Sequence, residues 1–83
     1  MTSREELVDD YESGQRDFRG IWLADLDLSY INLSHADLSD AIMCMTNLSH
    51  ADLSYANLSG ALLDGAYLGD ANLTGTNMEG VIR

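Results

Sequence analysis

The residues of this chain that could do chemistry are few and are spread along the sequence. Its only thiol is that of Cys44, and its only imidazoles are those of His35 and His50. One cysteine excludes a disulfide framework, and two histidines without a third convergent ligand make a poor metal site. Asp25 and Asp27 have a D-x-D spacing, but the repeat described below separates them onto a corner and a side. No serine has a histidine and an aspartate assembled around it. The sequence therefore predicts no enzyme, no metal and no cofactor.

Composition narrows the classes of protein that remain. Eighty-three residues and 9.1 kDa suffice for one compact unit. Fourteen acidic residues against four arginines give a net charge of −10, which argues against direct binding to nucleic acid. No apolar run approaches the length of a membrane span, and the acidic N-terminus lacks the apolar region of a secretory signal. We expect a cytoplasmic protein of bacterial type.

From residue 16 onwards the chain repeats every five residues. Each pentad has a large apolar centre, a mostly apolar residue two positions earlier, usually Asp or Asn between these two, and usually Ser after the centre. We expect the thirteen centres to form the core: Phe18, Leu23, Leu28, Leu33, Leu38, Met43, Leu48, Leu53, Leu58, Leu63, Leu68, Leu73 and Met78.

A period of five fits neither of the ordinary secondary structures. Five residues turn an α-helix by about 500°, so the centres would spiral around it. In a strand, an odd period sends successive centres to opposite faces. The spacing does fit a three-residue extended piece with both apolar side chains inward, followed by a two-residue corner. We therefore expect an all-β solenoid with coils stacked about 4.8 Å apart.

The pentads resemble a known family. Segments 36–40, 51–55 and 56–60, which read ADLSD, ADLSY and ANLSG, resemble the A(D/N)LXX motif of the pentapeptide-repeat proteins. The resemblance covers residues 16–83. It implies a right-handed quadrilateral β-helix with four pentads per coil, so that this chain would form about 3.5 coils.

The N-terminal segment predicts a helix over residues 3 to about 13. Ser3 can cap it, Glu5 and Glu6 suit its first turn, and Gly14 can end it. Its apolar face consists of Leu7, Val8 and Tyr11. We expect residues 1–15 to form a helical cap on the β-helix domain of residues 16–83, because terminal repeats must be covered.

With four pentads per coil, as the resemblance implies, residues twenty apart lie on one side. Four outward positions with an aliphatic residue or Trp in place of Asp or Asn are twenty apart, namely Trp22, Ile42, Leu62 and Ile82. We call this column the apolar stripe; it would be about 14 Å long, with Cys44 and Met45 beside it. Such a strip is typical of a binding or self-association face. The alternatives are a strip covered by another part of the chain and tolerated variation in the repeat.

The charge pattern supports a second interpretation. Between Gly20 and Ile82 there are eight acidic residues and no basic one. The candidate acidic face consists of Asp25, Asp27, Asp37, Asp40, Asp52, Asp64 and Asp70. Some pentapeptide-repeat proteins resemble DNA and inhibit gyrase, although this stretch would match only about five base pairs. An ordinary solvated surface is the simpler interpretation.

Two corner columns combine tyrosine and histidine. They contain Tyr30, His50 and Asp70 at one corner, and His35, Tyr55 and Gly75 at the next. Such a rim could bind a partner or respond to pH, because histidine titrates in the physiological range. Solvated corner residues are the alternative.

These patterns predict a non-catalytic scaffold or protein-interaction module that binds an unidentified protein partner or itself. A homodimer would form through the apolar stripe or through an uncapped C-terminal coil. Alternatively, the chain is a domain of a longer protein, or residues 81–83 fold over the open end of the last coil. The competing function is an acidic DNA-mimicking regulator of a DNA-handling enzyme such as gyrase, which would bind a basic groove in a salt-sensitive manner.

Overall fold

The computed structural model describes residues 2–83; Met1, which begins the expected cap domain, lies outside the described residues. One α-helix, α1 (Arg4–Glu12), precedes the repeats. In the repeats, extended residues meet as isolated parallel bridges rather than as strands. The expected all-β solenoid thus lacks regular strands, because each side of a coil is too short to contribute more than one bridging residue before the chain turns.

The bridges set the register of the solenoid. Each joins two residues twenty positions apart, as Asp27 and Asn47 do, so four pentads make one coil. We number the sides by their bridging residues: the first side has Asp17, Asp37, Asn57 and Asn77; the second has Trp22, Ile42, Leu62 and Ile82; the third has Asp27, Asn47 and Tyr67; the fourth has Asn32, Asp52 and Asn72.

Each corner is a β-turn with its own hydrogen bond. At one corner, the Ala51 amide donates to the Leu48 carbonyl at 3.1 Å, and His50 has φ 59°. Positive φ at the third turn residue favours glycine, yet eight corners carry another residue type. Bonds between coils hold these residues in place; the His50 amide, for example, donates to the Gly69 carbonyl at 2.9 Å.

The centres of the pentads fill the inside of the coils. From Phe18 to Leu63 every centre is buried, and most are fully inaccessible. Thr46 is also buried and donates its hydroxyl to the Leu23 carbonyl at 2.8 Å, which satisfies a polar group inside the coil. Three expected core residues are only half-buried, because no further layer of described residues lies beyond them: Leu68, Leu73 and Met78.

The last residues continue the coil. Ile82 bridges Leu62, and the Ile82 amide donates to the Ala61 carbonyl at 3.0 Å. The alternative that residues 81–83 fold over the end is therefore wrong, because pairing with the coil above uses their backbone groups.

On three sides, the outward Asn or Asp stabilises the next corner. Its Oδ1 atom accepts from the amide two residues later, as Asp52 does from Ser54 at 3.0 Å and Asn72 does from Thr74 at 3.1 Å. This local hydrogen bond explains why the repeat prefers Asp or Asn at this position, since both side chains can form it.

These hydrogen bonds predict acid sensitivity. The Ser54 hydroxyl and amide lower the pKa of Asp52, and those of Ser29 lower the pKa of Asp27. A carboxylate whose folded pKa lies below its unfolded value of about 3.9 stabilises the fold above that value and loses this contribution as pH falls through the folded pKa. We expect the Tm to fall between about pH 5 and pH 2 in thermal melts. The double variant Asp27→Asn/Asp52→Asn keeps the acceptor oxygens and should lose less Tm over this range; an equal loss would contradict this explanation.

Helix α1 begins as its sequence predicts. The Ser3 hydroxyl accepts from the Glu6 amide at 3.1 Å, and Glu6 accepts from the Ser3 amide at 3.3 Å, which forms a capping box. Helix α1 ends at Glu12, before Ser13 and Gly14. Leu7 is completely buried in the core, with Val8 and Tyr11 packed against it.

The cap also supplies hydrogen bonds that a preceding coil would otherwise make. In the second coil, the carbonyls of Asn47 and Ser49 accept from amides of the first coil. The equivalent carbonyls of the first coil, Asp27 and Ser29, accept instead from the Arg4 guanidinium at 2.7 and 2.9 Å. Arg4 thus stands in for the missing layer on the third side.

On the fourth and first sides the cap bonds to one carbonyl each. The Tyr11 hydroxyl donates to the Ser34 carbonyl at 2.7 Å, and the Gln15 amide group donates to the Asp17 carbonyl at 3.0 Å. On the second side, the carbonyls of Trp22 and Ala24 have no donor within residues 2–83. The cap therefore leaves the end of the second side uncovered.

Candidate interaction face

The apolar stripe forms a continuous column on the second side. Trp22 bridges Ile42, Ile42 bridges Leu62, and Leu62 bridges Ile82. Trp22 and Ile82 at the two ends are each 50% exposed, while Ile42 and Leu62 between them are half-buried. No described part of the chain covers this column, so the alternative of a stripe hidden beneath another segment does not hold for residues 2–83.

Met45 and Cys44 extend the apolar surface. Met45 is 65% exposed at the next corner, and its thioether lies over Gly65 in the layer below. Cys44, a half-buried free thiol, comes directly after the buried centre Met43 and two residues after Ile42. Both residues lie beside the stripe, as the register predicts.

The stripe lacks the hydrogen bond that the other sides use to hold their corners. Its residues have no side-chain acceptor, and the amides of Ala24, Cys44 and Asp64 have no partner within the described chain. A hydrogen bond of this kind contributes about 0.5–1.5 kcal/mol. The second side omits it in three successive layers, at positions 22, 42 and 62.

The predicted departures from Asp or Asn omit one outward position. Tyr67 occupies an outward Asp or Asn position on the third side and is 63% exposed. Its ring covers Gly69, where a Cβ atom would come within 2.6 Å of the tyrosine oxygen. The same position-by-position comparison that identified Trp22 also identifies Tyr67, but Tyr67 has no apolar neighbour in its column and does not extend the stripe.

The tyrosine and histidine corners form two stacked columns. The rings of Tyr30 and His50 are parallel, with centroids 4.6 Å apart, and the His50 Nε2 atom lies 3.7 Å from an Asp70 carboxylate oxygen. At the next corner, the rings of His35 and Tyr55 are 5.3 Å apart. Each histidine is thus stacked on a tyrosine, and the two histidines lie at different corners.

The acidic residues are distributed around the solenoid and do not form one face. Asp37 lies on the first side, Asp27 on the third and Asp52 on the fourth. The others are at or beside corners, where Asp25, Asp40 and Asp70 adopt positive φ, while Asp64 lies next to the stripe. Asp25 and Asp27 belong to different parts of a coil, as the repeat predicts.

No arrangement for catalysis or metal binding is present in the described residues. Among residues 2–83, no group of three or more His, Cys, Asp and Glu side chains is placed to hold a metal ion. A cleft of about 300 Å³ lies between α1 and the first coil, next to Arg4, Tyr11, Glu12 and Tyr30. Arg4 and Tyr11 already bond to backbone carbonyls there and so hold the cap in place.

Helix length and hydropathy were also compared with those of a membrane-spanning segment. Within residues 2–83, no helix has both the length and the apolar character needed to cross a membrane.

Comparison with known proteins connects this geometry to a family. The family model for pentapeptide repeats matches residues 17–53 and 46–80, with eight copies. None of the curated proteins compared with the chain matches it.

Three solved structures are similar to the chain. The pentapeptide-repeat protein alr5209 from Nostoc PCC 7120 is 36% identical, with a TM-score of 0.50, over 95% of this chain and 74% of that protein. HetL from the same cyanobacterium, described as involved in heterocyst differentiation regulation, is 35% identical, with a TM-score of 0.57, over 89% of this chain and 33% of HetL. Rfr23 from Cyanothece 51142 is 30% identical, with a TM-score of 0.53, over 80% of this chain and 52% of Rfr23.

The chain thus spans about a third of HetL and about half of Rfr23. Members of this family fold as right-handed quadrilateral β-helices and are generally structural or interaction proteins rather than enzymes. The twenty-residue bridges, the recurring corners and the matched repeats agree, and the chain belongs to the pentapeptide-repeat family.

Proposed function

We propose that this protein is a non-catalytic interaction module that binds a protein partner through the apolar stripe of its second side. The observation that carries the proposal is the unbroken column from Trp22 to Ile82, exposed at both ends and in register in every layer. Interface centres are rich in tryptophan and in side chains that are desolvated on binding. The column provides both.

The hydrogen bonds that the stripe residues lack support a role in binding rather than in stabilising the fold. Asp or Asn at positions 22, 42 and 62 would each gain a corner hydrogen bond, as at equivalent positions on the other sides. Trp22 gains little from burial, since it remains half exposed, while Ile42 and Leu62 are only half-buried. A partner that covers the stripe would recover this apolar area from water, at about 25 cal/mol per Å² before the costs of association.

The family comparison points in the same direction. One neighbour, HetL, is described as involved in the regulation of heterocyst differentiation, and an interaction module is compatible with a regulatory role of that kind. The acidic DNA-mimicking role is the weaker candidate. Three of the seven residues of the candidate acidic face, Asp27, Asp37 and Asp52, lie on three different sides, where they make the same corner hydrogen bond that Asn makes elsewhere.

The double variant Trp22→Ala/Leu62→Asp tests the proposal. It removes the aromatic end of the stripe and places a charge in its middle, and both positions point outward, so the circular dichroism spectrum should not change. We expect partner capture from the source cell, or self-association in light scattering, to fall by at least about a hundredfold, as for the loss of two central interface residues.

The matched control is Tyr55→Ala, which removes a 59% exposed aromatic residue from a corner away from the stripe. It should leave capture and self-association unchanged. If the stripe variant and the control behave identically, the stripe is not the binding face.

A further inference from the structure

We propose that the partner segment that occupies the apolar stripe is an amphipathic α-helix of another protein, with basic residues along its edges and its axis parallel to the solenoid axis. This inference rests on the proposed function and identifies the kind of partner that the same face fits. Three properties of the second side carry it: the spacing of the stripe, the charge around it and its size.

The spacing of the stripe matches a helix. Its four residues lie in successive layers, so at about 4.8 Å per layer they span about 14 Å. Residues i, i+3, i+7 and i+10 of an α-helix lie on one face and span about 15 Å at a rise of 1.5 Å per residue. Four same-face residues of an extended strand span about 20 Å and would lose register after two contacts.

The charges around the stripe determine the kind of helix. Asp40 lies at the corner before the second side, Asp25 lies at the corner after it, and Asp64 lies beside Leu62. The basic residues nearest the stripe are at its two ends: Arg19, which pairs with Asp17, precedes Trp22, and Arg83 follows Ile82. Between Gly20 and Ile82 there is no basic residue, so the middle layers of the stripe have only acidic neighbours. Lysine or arginine residues that flank the apolar face of a helix would meet these three carboxylates, while acidic flanks would be repelled.

The size and charge of the face argue against a second copy. The described chain has 4418 Å² of accessible surface, and a standard stable interface buries about 800 Å² on each partner, nearly a fifth of that surface. The stripe is one side chain wide, with Met45 and Cys44 beside it in the second coil only. A dimer would also bring together two chains of net charge −10. A single helix requires only a narrow strip, as in other helix-in-groove complexes.

The unpaired amides beside the stripe add a polar requirement. The N–H groups of Ala24, Cys44 and Asp64 repeat in successive layers next to the apolar column. Glutamine or asparagine side chains next to the apolar row of a helix can supply acceptor oxygens to these groups. The best probe is therefore a helix with a leucine row, glutamine on one edge and lysine on the outer positions.

The test uses the full chain and synthetic peptides without tryptophan. Trp22 is the only tryptophan of the chain and ends the stripe, so its fluorescence reports binding at this face. One peptide of about 14 residues carries leucine at i, i+3, i+7 and i+10. A second has the same composition with the leucines distributed around the helix. A third contains a central proline that prevents helix formation.

We expect the patterned peptide to shift the Trp22 emission and to bind at least about tenfold more tightly than the scrambled and proline peptides. Leu62→Asp, which keeps Trp22, should weaken its binding by at least about tenfold, and Asp52→Asn on the fourth side should not. Rising salt should weaken binding, because the edge contacts are charged.

Equal binding of the patterned and scrambled peptides, or binding that Leu62→Asp leaves unchanged, would overturn the helix proposal. The proposed function would survive that result if Trp22→Ala/Leu62→Asp still abolished partner capture. If the stripe variant had no effect on capture or self-association, the proposed function itself would fail.

Discussion

Replacing Leu48 with aspartate is expected to unfold the protein at neutral pH. Leu48 is fully buried at the centre of its pentad, in the second of the stacked coils. An unpaired carboxylate in this position loses its hydration without gaining a partner, which costs several kcal/mol. A small domain has a total stability of only about 5–15 kcal/mol, and a chain of this size lies near the lower end. Loss of the folded circular dichroism spectrum and of a cooperative thermal transition is the expected observation.

The matched control is Asn47→Asp, which adds the same charge one position earlier. Asn47 points outward, and its Oδ1 atom accepts from the Ser49 amide at 3.0 Å, as Asp52 does from Ser54. Aspartate can make the same bond, so this variant should remain folded, with a small loss from repulsion by Asp27 in the layer above. A Leu48→Asp protein that melts at the same temperature as this control would show that the centres do not point inward.

Replacing Leu7 with alanine is expected to give the second largest effect. Leu7 is the only fully buried residue of α1, and its side chain belongs to the same core as the pentad centres. Its truncation removes apolar contacts and leaves a cavity between the helix and the first coil, at a cost of about 2–5 kcal/mol. Urea denaturation should show this loss as a lower midpoint.

The expected loss has a structural signature beyond the midpoint. Arg4 and Tyr11 bond to backbone carbonyls of the first coil only while α1 is docked. Hydrogen exchange should therefore accelerate first in the helix and in coil 1, before the lower coils. The control Asp9→Ala changes an exposed residue of the same helix and favours helix formation, so it should not lower the midpoint. Equal midpoints for the Leu7 and Asp9 variants would mean that the helix does not hold the cap in place.

The periodic part of the molecule could be predicted from single residues. Most pentads have the same three local features: an inward centre, an outward Asp or Asn that accepts from the amide two residues later, and a corner residue that tolerates positive φ. Because these interactions are local, reading every fifth position identifies the buried centres from Phe18 to Leu63. The apolar stripe could be predicted only with the additional knowledge of four pentads per coil, which came from the family resemblance.

Contacts that depend on docking could not be predicted in this way. The sequence indicates a capped helix with an apolar face, but nothing local to Arg4 or Tyr11 shows that they would bond to carbonyls more than twenty residues away. The half-burial of Leu73, the distribution of the acidic residues over several sides and the uncovered end of the stripe at Trp22 likewise depend on which layer or segment lies next to each residue.

The amino-acid sequence by itself thus determined the repeat, the inward residues and the outward exceptions, because the interactions that define a pentad are made between residues close together in the sequence. Only the tertiary structure decided where the cap sits and which side it leaves open. That choice follows from the position of Leu7 in the core and from the few long-range hydrogen bonds to the carbonyls of the first coil.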